Sequence, residues 1–126
     1  MTVSRRKARR QALSLLYQWD LSGQEIGSQY AGEIDPWARG VAESVAERAV
    51  ELDARITGAS EGWTADRLGT VERSALRVAV HELQTGEVPA EVAINEAVAF
   101  TKRYASEDGA RLVNGILGKI QREEAA

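Results

Sequence analysis

Arg5, Arg6, Lys7, Arg9 and Arg10 place five cations within six positions, and no acid precedes Asp20. Guanidinium groups present planar donors that meet phosphate oxygens in pairs. A row of one sign therefore suits a polyanion backbone. Charge runs near a terminus are usually just a solvated end. Here, however, Leu13, Tyr17 and Leu21 continue the same side of the segment in helical register. That combination favours a polyanion site above and an apolar, aromatic strip for a protein partner below.

Other reactive residue types are sparse. The chain has one histidine, His81, and no cysteine. His81 lies beside Glu82 and reads as a surface or half-buried residue without a catalytic role. A catalytic triad or a zinc site would need an unusual construction from such a set. There is no glycine-rich phosphate loop, dinucleotide fingerprint, HExxH or nucleophile elbow. Glu43, Glu47 and Glu51 recur every four residues, but no histidine or second carboxylate group converges on them, so they read as a solvated helix face. The residue types point to binding rather than catalysis, with no cofactor or metal implied.

The elements that must carry these residues are helical, since no segment alternates in the manner of a strand. Arg5–Leu21 lacks proline and glycine and is rich in helix formers. As one helix it would be about 26 Å long. Winding it at about 100° per residue puts Ala8, Ala12, Leu15, Leu16 and Trp19 on one buried stripe. Arg6 and Arg10 stand well off that stripe, with Arg9 on its shoulder. Gly23–Asp35 reads as a loop. Asp35-Pro36 then supplies an N-cap and a proline at the first helical position. That opens a helix to about Thr57, ended by Gly58, with Arg39/Glu43 and Glu51/Arg55 as outer ion pairs.

Thr64 marks a short helix over Ala65–Leu68, with Trp63 and Leu68 as a hydrophobic staple. Thr70 caps a helix from Val71 to Thr85, striped by Val71, Ala75, Leu76, Ala79, Val80 and Leu83 and stopped by Gly86. Val78 falls off that stripe. Pro89 opens a helix to about Ala105, with Ala93, Ala97, Phe100 and Tyr104 on one face. Ser106-Glu107-Asp108 starts the last helix with acids where the helix dipole favours them. That helix runs to about Glu123 and buries Val113, Ile116, Leu117 and Ile120. Gly115 and Gly118 inside it each cost about 1 kcal/mol against alanine, which suggests close approach of another backbone. Six helical segments with short links imply an all-α fold, either one bundle or a pair of fused bundles.

A chain of 126 residues fits one domain, 1–126. Its net charge of −3 looks unsuited to nucleic acid until the distribution is considered. Residues 1–19 hold five cations and no acid, whereas the remainder holds eleven cations and nineteen acids. A basic head on an acidic body grips phosphate locally and repels it elsewhere. No apolar run is long enough for a membrane span. The basic start is not followed by a secretory apolar segment and cleavage site, and absent cysteine suits a reducing compartment. A cytoplasmic protein without membrane contact is the expectation.

From Val88 onward, the run VPAEVAINEAVAFTKRYASEDGARLVNGILGKI resembles the signature of the NusB family of transcription antitermination factors. The pieces that carry the likeness are VAINEAV (Val92–Val98), Lys102 and VNGILGKI (Val113–Ile120). Upstream, VERSALRVAVHEL (Val71–Leu83) is similar to the family's middle helix. RRKARRQALSLLYQWDLS (Arg5–Ser22) is similar to its arginine-rich first helix. Only the Gly23–Asp35 loop stands outside the likeness. The resemblance implies an all-α fold of two fused three-helix bundles. It also implies pairing with NusE, a small-subunit ribosomal protein, on the boxA element of ribosomal RNA transcripts, within a transcription elongation complex that reads through terminators.

By position, the resemblance implies an RNA-gripping motif at Arg5, Arg6, Lys7, Arg9 and Arg10. It implies a NusE-facing set of Tyr17, Leu21 and Glu82, beside which Leu13 lies on the same wheel face. Asp108, Arg111 and Leu112 match a second region near the RNA. Leu112 departs from the phenylalanine of many relatives, which weakens base stacking there. Asn95 and Asn114 read as hydrogen bonds that lock helices together. If all five N-terminal cations meet phosphates, the log–log salt slope is about −3.5. Two alternatives stand beside this reading. One is an RNA-binding accessory domain like that of certain ribosomal RNA cytosine methyltransferases, for which this chain leaves no room unless it is a fragment. The other is a homodimer that stores the protein with its first helix covered.

Overall fold

Small polar residues, a proline and glycines set most helix ends in this chain. The computed structural model describes residues 4–125, so the expected domain limits at 1 and 126 lie outside it. Helix α1 spans Arg5–Ser22. The Ser4 hydroxyl accepts from the Lys7 backbone N–H at 3.2 Å, and Gly23 ends the helix at φ 71°, where a side chain would be strained. The loop that follows is pinned to α1 by Gln11, which donates to the Tyr30 hydroxyl and the Glu33 carbonyl and accepts from the Asp35 N–H.

Helix α2 is Pro36–Glu47, capped by Asp35 through the Ala38 N–H. Helix α3 is Ala49–Ala59. The sequence pattern merges these two, because neither glycine nor proline separates them. The break falls at Arg48, whose N–H is shared between the Ser44 and Val45 carbonyls. Its guanidinium donates to Glu51 and Gln84 and meets His81 Nδ1 at 2.7 Å. Partners on another helix fix this kink, so local propensity did not reveal it. Ala65–Arg67 is a single 3-10 turn without a side-chain cap. Trp63 is half exposed there, so the expected staple is absent.

Helix α4 is Thr70–Thr85, starting one residue earlier than expected from its capping pattern. Helix α5 is Ala90–Tyr104 and helix α6 is Glu107–Ala125. The Ser106 hydroxyl accepts from the Gly109 N–H at 2.9 Å at the α6 start. Among the described residues there are six α-helices; the sixth comes from the split of one expected helix, while the expected short helix is only a 3-10 turn.

Helices α4, α5 and α6 pack on one another pairwise, and so do α1, α2 and α4. Helix α3 packs on α2, α4 and α6. The fold is thus all-α, two three-helix groups fused along α4, and one contiguous core draws on all six helices. Helix α4 touches every other α-helix, which is why Val78 is buried although it lies off the sequence stripe. Two of its arginines tie the halves together. Arg73 pairs with Asp20 of α1 at 2.8 Å, and Arg77 pairs with Asp53 of α3 at 2.7 Å. Burial opposes the Arg77 charge, but its bonds to Asp53 and Asp20 outweigh that and raise its pKa.

Three local expectations fail for tertiary reasons. Arg55 turns away from Glu51 to Glu123 and Glu124 of α6, and Arg39 reaches the Ile26 carbonyl rather than Glu43. No backbone crowds Gly115, where an added Cβ meets nothing within 4 Å, and Gly118 has only the Arg122 guanidinium nearby. Asn95 and Asn114 are exposed along a groove between α5 and α6, and among the described residues neither bonds across it. Also among the described residues, no helix is long and apolar enough to cross a membrane and no acid, histidine or cysteine cluster is arranged for a metal.

Candidate nucleic-acid and partner interface

Helix α1 packs inward through Ala8, Ala12, Leu13, Leu15 and Leu16. Ala8, Ala12 and Ala38 are small enough to bring α1 close to α2. That contact fixes which cations remain outside. Arg5, Arg6, Lys7 and Arg10 are exposed. The Arg5 guanidinium lies 4.2 Å from the Trp37 ring centroid, a cation–π contact that orients it along α2. Arg6 Nε donates to Glu96 Oε1 at 2.9 Å while its side chain stays 72% exposed, so the pair is weak and easily exchanged. Among the described residues, Lys7 and Arg10 form no ion pair.

Arg9 departs from the expected set. Its side chain is 5% exposed, and Nη2 donates to Glu82 Oε2 at 2.8 Å. Its Nε donates to both carboxylate oxygens of Glu82, at 3.1 and 3.3 Å. Burial pushes Glu82 above the ordinary carboxylate value, the Arg9 bonds pull it back, and Glu87 and Glu96 add to the rise. Arg9 and Glu82 thus form a buried α1–α4 clamp. Neither is available to phosphate or to a protein partner in this conformation. Leu13 is likewise fully buried, so it belongs to the core and not to the docking strip. The helical wheel puts Arg9 on the shoulder of the buried stripe and Leu13 on the outward side with Tyr17 and Leu21, and the structure buries both Arg9 and Leu13. A wheel cannot show that α4 brings a carboxylate to that shoulder, or that Leu13 joins the core cluster shared by all six helices.

Tyr17 is half-buried and Leu21 is 61% exposed, so the outward part of the strip survives below the cations. Three shallow grooves run along this side. One of about 340 Å³ lies between Arg6, Arg10, Glu96 and Arg103. A second of about 320 Å³ is lined by Lys7, Arg10, Gln11 and Tyr30. A third of about 350 Å³ is lined by Ser14, Tyr17, Gln18, Val71 and Phe100. Tyr104 borders all three.

The helical spacing puts Tyr104 on one face of α5 with Ala93, Ala97 and Phe100. Those three are buried, but Tyr104 is 53% exposed, because α5 carries its last turn past the core. The signal in the sequence was the triplet Lys102-Arg103-Tyr104, basic residues beside an aromatic at a helix end.

At the start of α6, Asp108 and Arg111 are exposed and paired with each other. Leu112 is half-buried against the core, leaning inward. Arg111 lines a separate groove of about 400 Å³ with Val98, Lys102, Glu107 and Asn114. The structure therefore gathers Arg6, Lys7, Arg10 and Tyr17 around one cleft system, leaves Arg5 on the α2 side, and sets Arg111 in another groove.

Known proteins share the sequence and fold of this chain over nearly its whole length. Residues 6–122 match the model of the NusB family. A transcription antitermination protein NusB from Rubrobacter xylanophilus is 41% identical over 122 residues, 91% of this chain and 88% of its own length. A solved NusB of T. maritima superposes with a TM-score of 0.85 at 30% identity, covering 98% of this chain and 94% of that one. A crystal structure of antitermination factors NusB and NusE in complex with dsRNA superposes with a TM-score of 0.81 at 29% identity, covering 94% and 96%.

Proposed function

We propose that this chain, which belongs to the NusB family, is a transcription antitermination factor: with NusE it binds boxA RNA of ribosomal RNA operon transcripts and promotes read-through by RNA polymerase. One similar structure holds NusB with NusE and dsRNA, and both partners are carried to this chain on that basis. The protein works by binding, in the cytoplasm, as a single helical domain over residues 1–126, and joins the transcription elongation complex without a catalytic step.

The observation that carries the reading is the exposed cation row on α1 lying directly above an outward tyrosine and leucine. Arg5, Arg6, Lys7 and Arg10 contact phosphates, and Arg111 with Asp108 forms a second, weaker RNA contact at the α6 start. Tyr17 and Leu21 contact NusE. Backbone charge carries little sequence information. Selectivity for boxA therefore comes from bases held jointly by the two proteins, and the chain alone binds RNA weakly. Titrating labelled boxA RNA with the chain, with NusE and with their mixture tests this. The mixture should bind more tightly and more selectively than either protein; equal affinity with and without NusE overturns the joint site.

A further inference from the structure

We infer that Tyr104 is a stacking seat for an unpaired RNA base, set between the α1 cations and the α5 end. This rests on the reading of α1 as an RNA-backbone site, and it adds a base contact to that charge contact. The large aromatic ring is 53% exposed in the middle of the cleft system. Phe100 supports it from within, with ring centroids 4.8 Å apart and planes tilted by 48°. The Arg103 guanidinium lies 5.4 Å from its centroid. Arg103 is exposed and, like Lys7 and Arg10, makes no ion pair among the described residues.

The chemistry around the ring selects the occupant. Arg10 lines two of the grooves that Tyr104 borders, Lys7 one, and Arg6 the other. The single acid among those linings, Glu96, is already engaged by Arg6. A cationic rim around an aromatic platform fits a phosphate-linked base, because every base offers a π-face and every nucleotide a negative charge. An apolar protein segment would leave those cations without partners. The backbone then runs along Lys7 and Arg10, a base slides over Tyr104, and Arg103 moves from the ring to a phosphate. The half-buried Leu112 at the α6 start packs against the core and offers no such platform, whereas Tyr104 at the α5 end does.

The test uses fluorescence anisotropy with a short labelled boxA RNA and the same strand bearing single abasic replacements, with and without NusE. Tyr104→Leu should weaken binding about tenfold, within the range for loss of one stacked base, and leave the salt slope unchanged, since no charge is lost. Tyr104→Phe should bind like the parent. At one abasic position the Tyr104→Leu deficit should vanish, because the stacking partner is already gone. Circular dichroism and melting verify that the variants are folded. Equal loss in Tyr104→Phe and Tyr104→Leu, a changed salt slope, or a defect confined to NusE binding each overturns the assignment. Lys7→Ala and Arg10→Ala separate the two levels. If they weaken RNA binding while Tyr104→Leu does not, only the stacking seat fails. If they too have no effect, the RNA-backbone site fails with it.

Discussion

Arg9→Met and Arg10→Met, one residue apart, should separate cleanly in two assays. Arg10 is exposed and has no ion pair among the described residues, whereas Arg9 is clamped on Glu82 inside the protein. With Arg5, Arg6, Lys7 and Arg10 each meeting one phosphate, the α1 row contributes about −2.8 to the log–log salt slope for single-stranded RNA, not the −3.5 expected from five cations, at roughly 0.7 per contact. Arg10→Met should lower the magnitude of that contribution to about 2.1 and leave stability within about 0.5 kcal/mol. Arg9→Met should leave the slope unchanged while removing the partner of a carboxylate whose side chain is only 4% exposed. Breaking a buried pair from one side costs about 3–5 kcal/mol, or roughly 10–20 °C in melting temperature for a chain of this size.

The double variant Arg9→Met/Glu82→Leu should recover most of that loss, because no buried charge remains. Anisotropy across a salt series and urea melts of the four proteins measure both quantities. An Arg9→Met protein that melts like the parent but loses about 0.7 of the slope would refute the clamp and return Arg9 to the RNA-binding set.

Other expectations are as direct. Leu21→Asp, at a 61% exposed site, should leave stability within about 0.5 kcal/mol yet weaken NusE binding at least tenfold by calorimetry; undiminished binding removes Leu21 from the partner face. Gly115→Ala should raise stability by about 1 kcal/mol, since its Cβ meets open space; a loss in urea melts would mean that something packs there after all. Burial first, and the Arg48 charge second, hold His81 below the ordinary histidine value, with Glu87 opposing. The unfolded chain therefore takes the proton first as pH falls, and stability should decline below about pH 6.5 until folded His81 also protonates. His81→Gln should flatten that stretch of the urea midpoint against pH; an unchanged profile assigns the decline to other groups.

Local chemistry alone determined a great deal here. The Asp35 cap, the stop at Gly86, the helical periods and the one-signed run from Arg5 to Arg10 are encoded within a few residues of one another, so they are legible without any fold. The segments matching the family's helices also carried the overall architecture. The tertiary structure alone decided what depends on a neighbour distant in sequence. Glu82 lies 73 positions from Arg9, yet it takes that arginine out of the cation row. His81 and Gln84 on α4 anchor the break at Arg48, which no glycine or proline announces. Tyr104 shares its helical phase with Phe100, but the core ends before the helix does, so one ring is buried and the other faces solvent. A wheel gives the direction in which a side chain points; burial and charge pairing depend on what another helix brings to that direction.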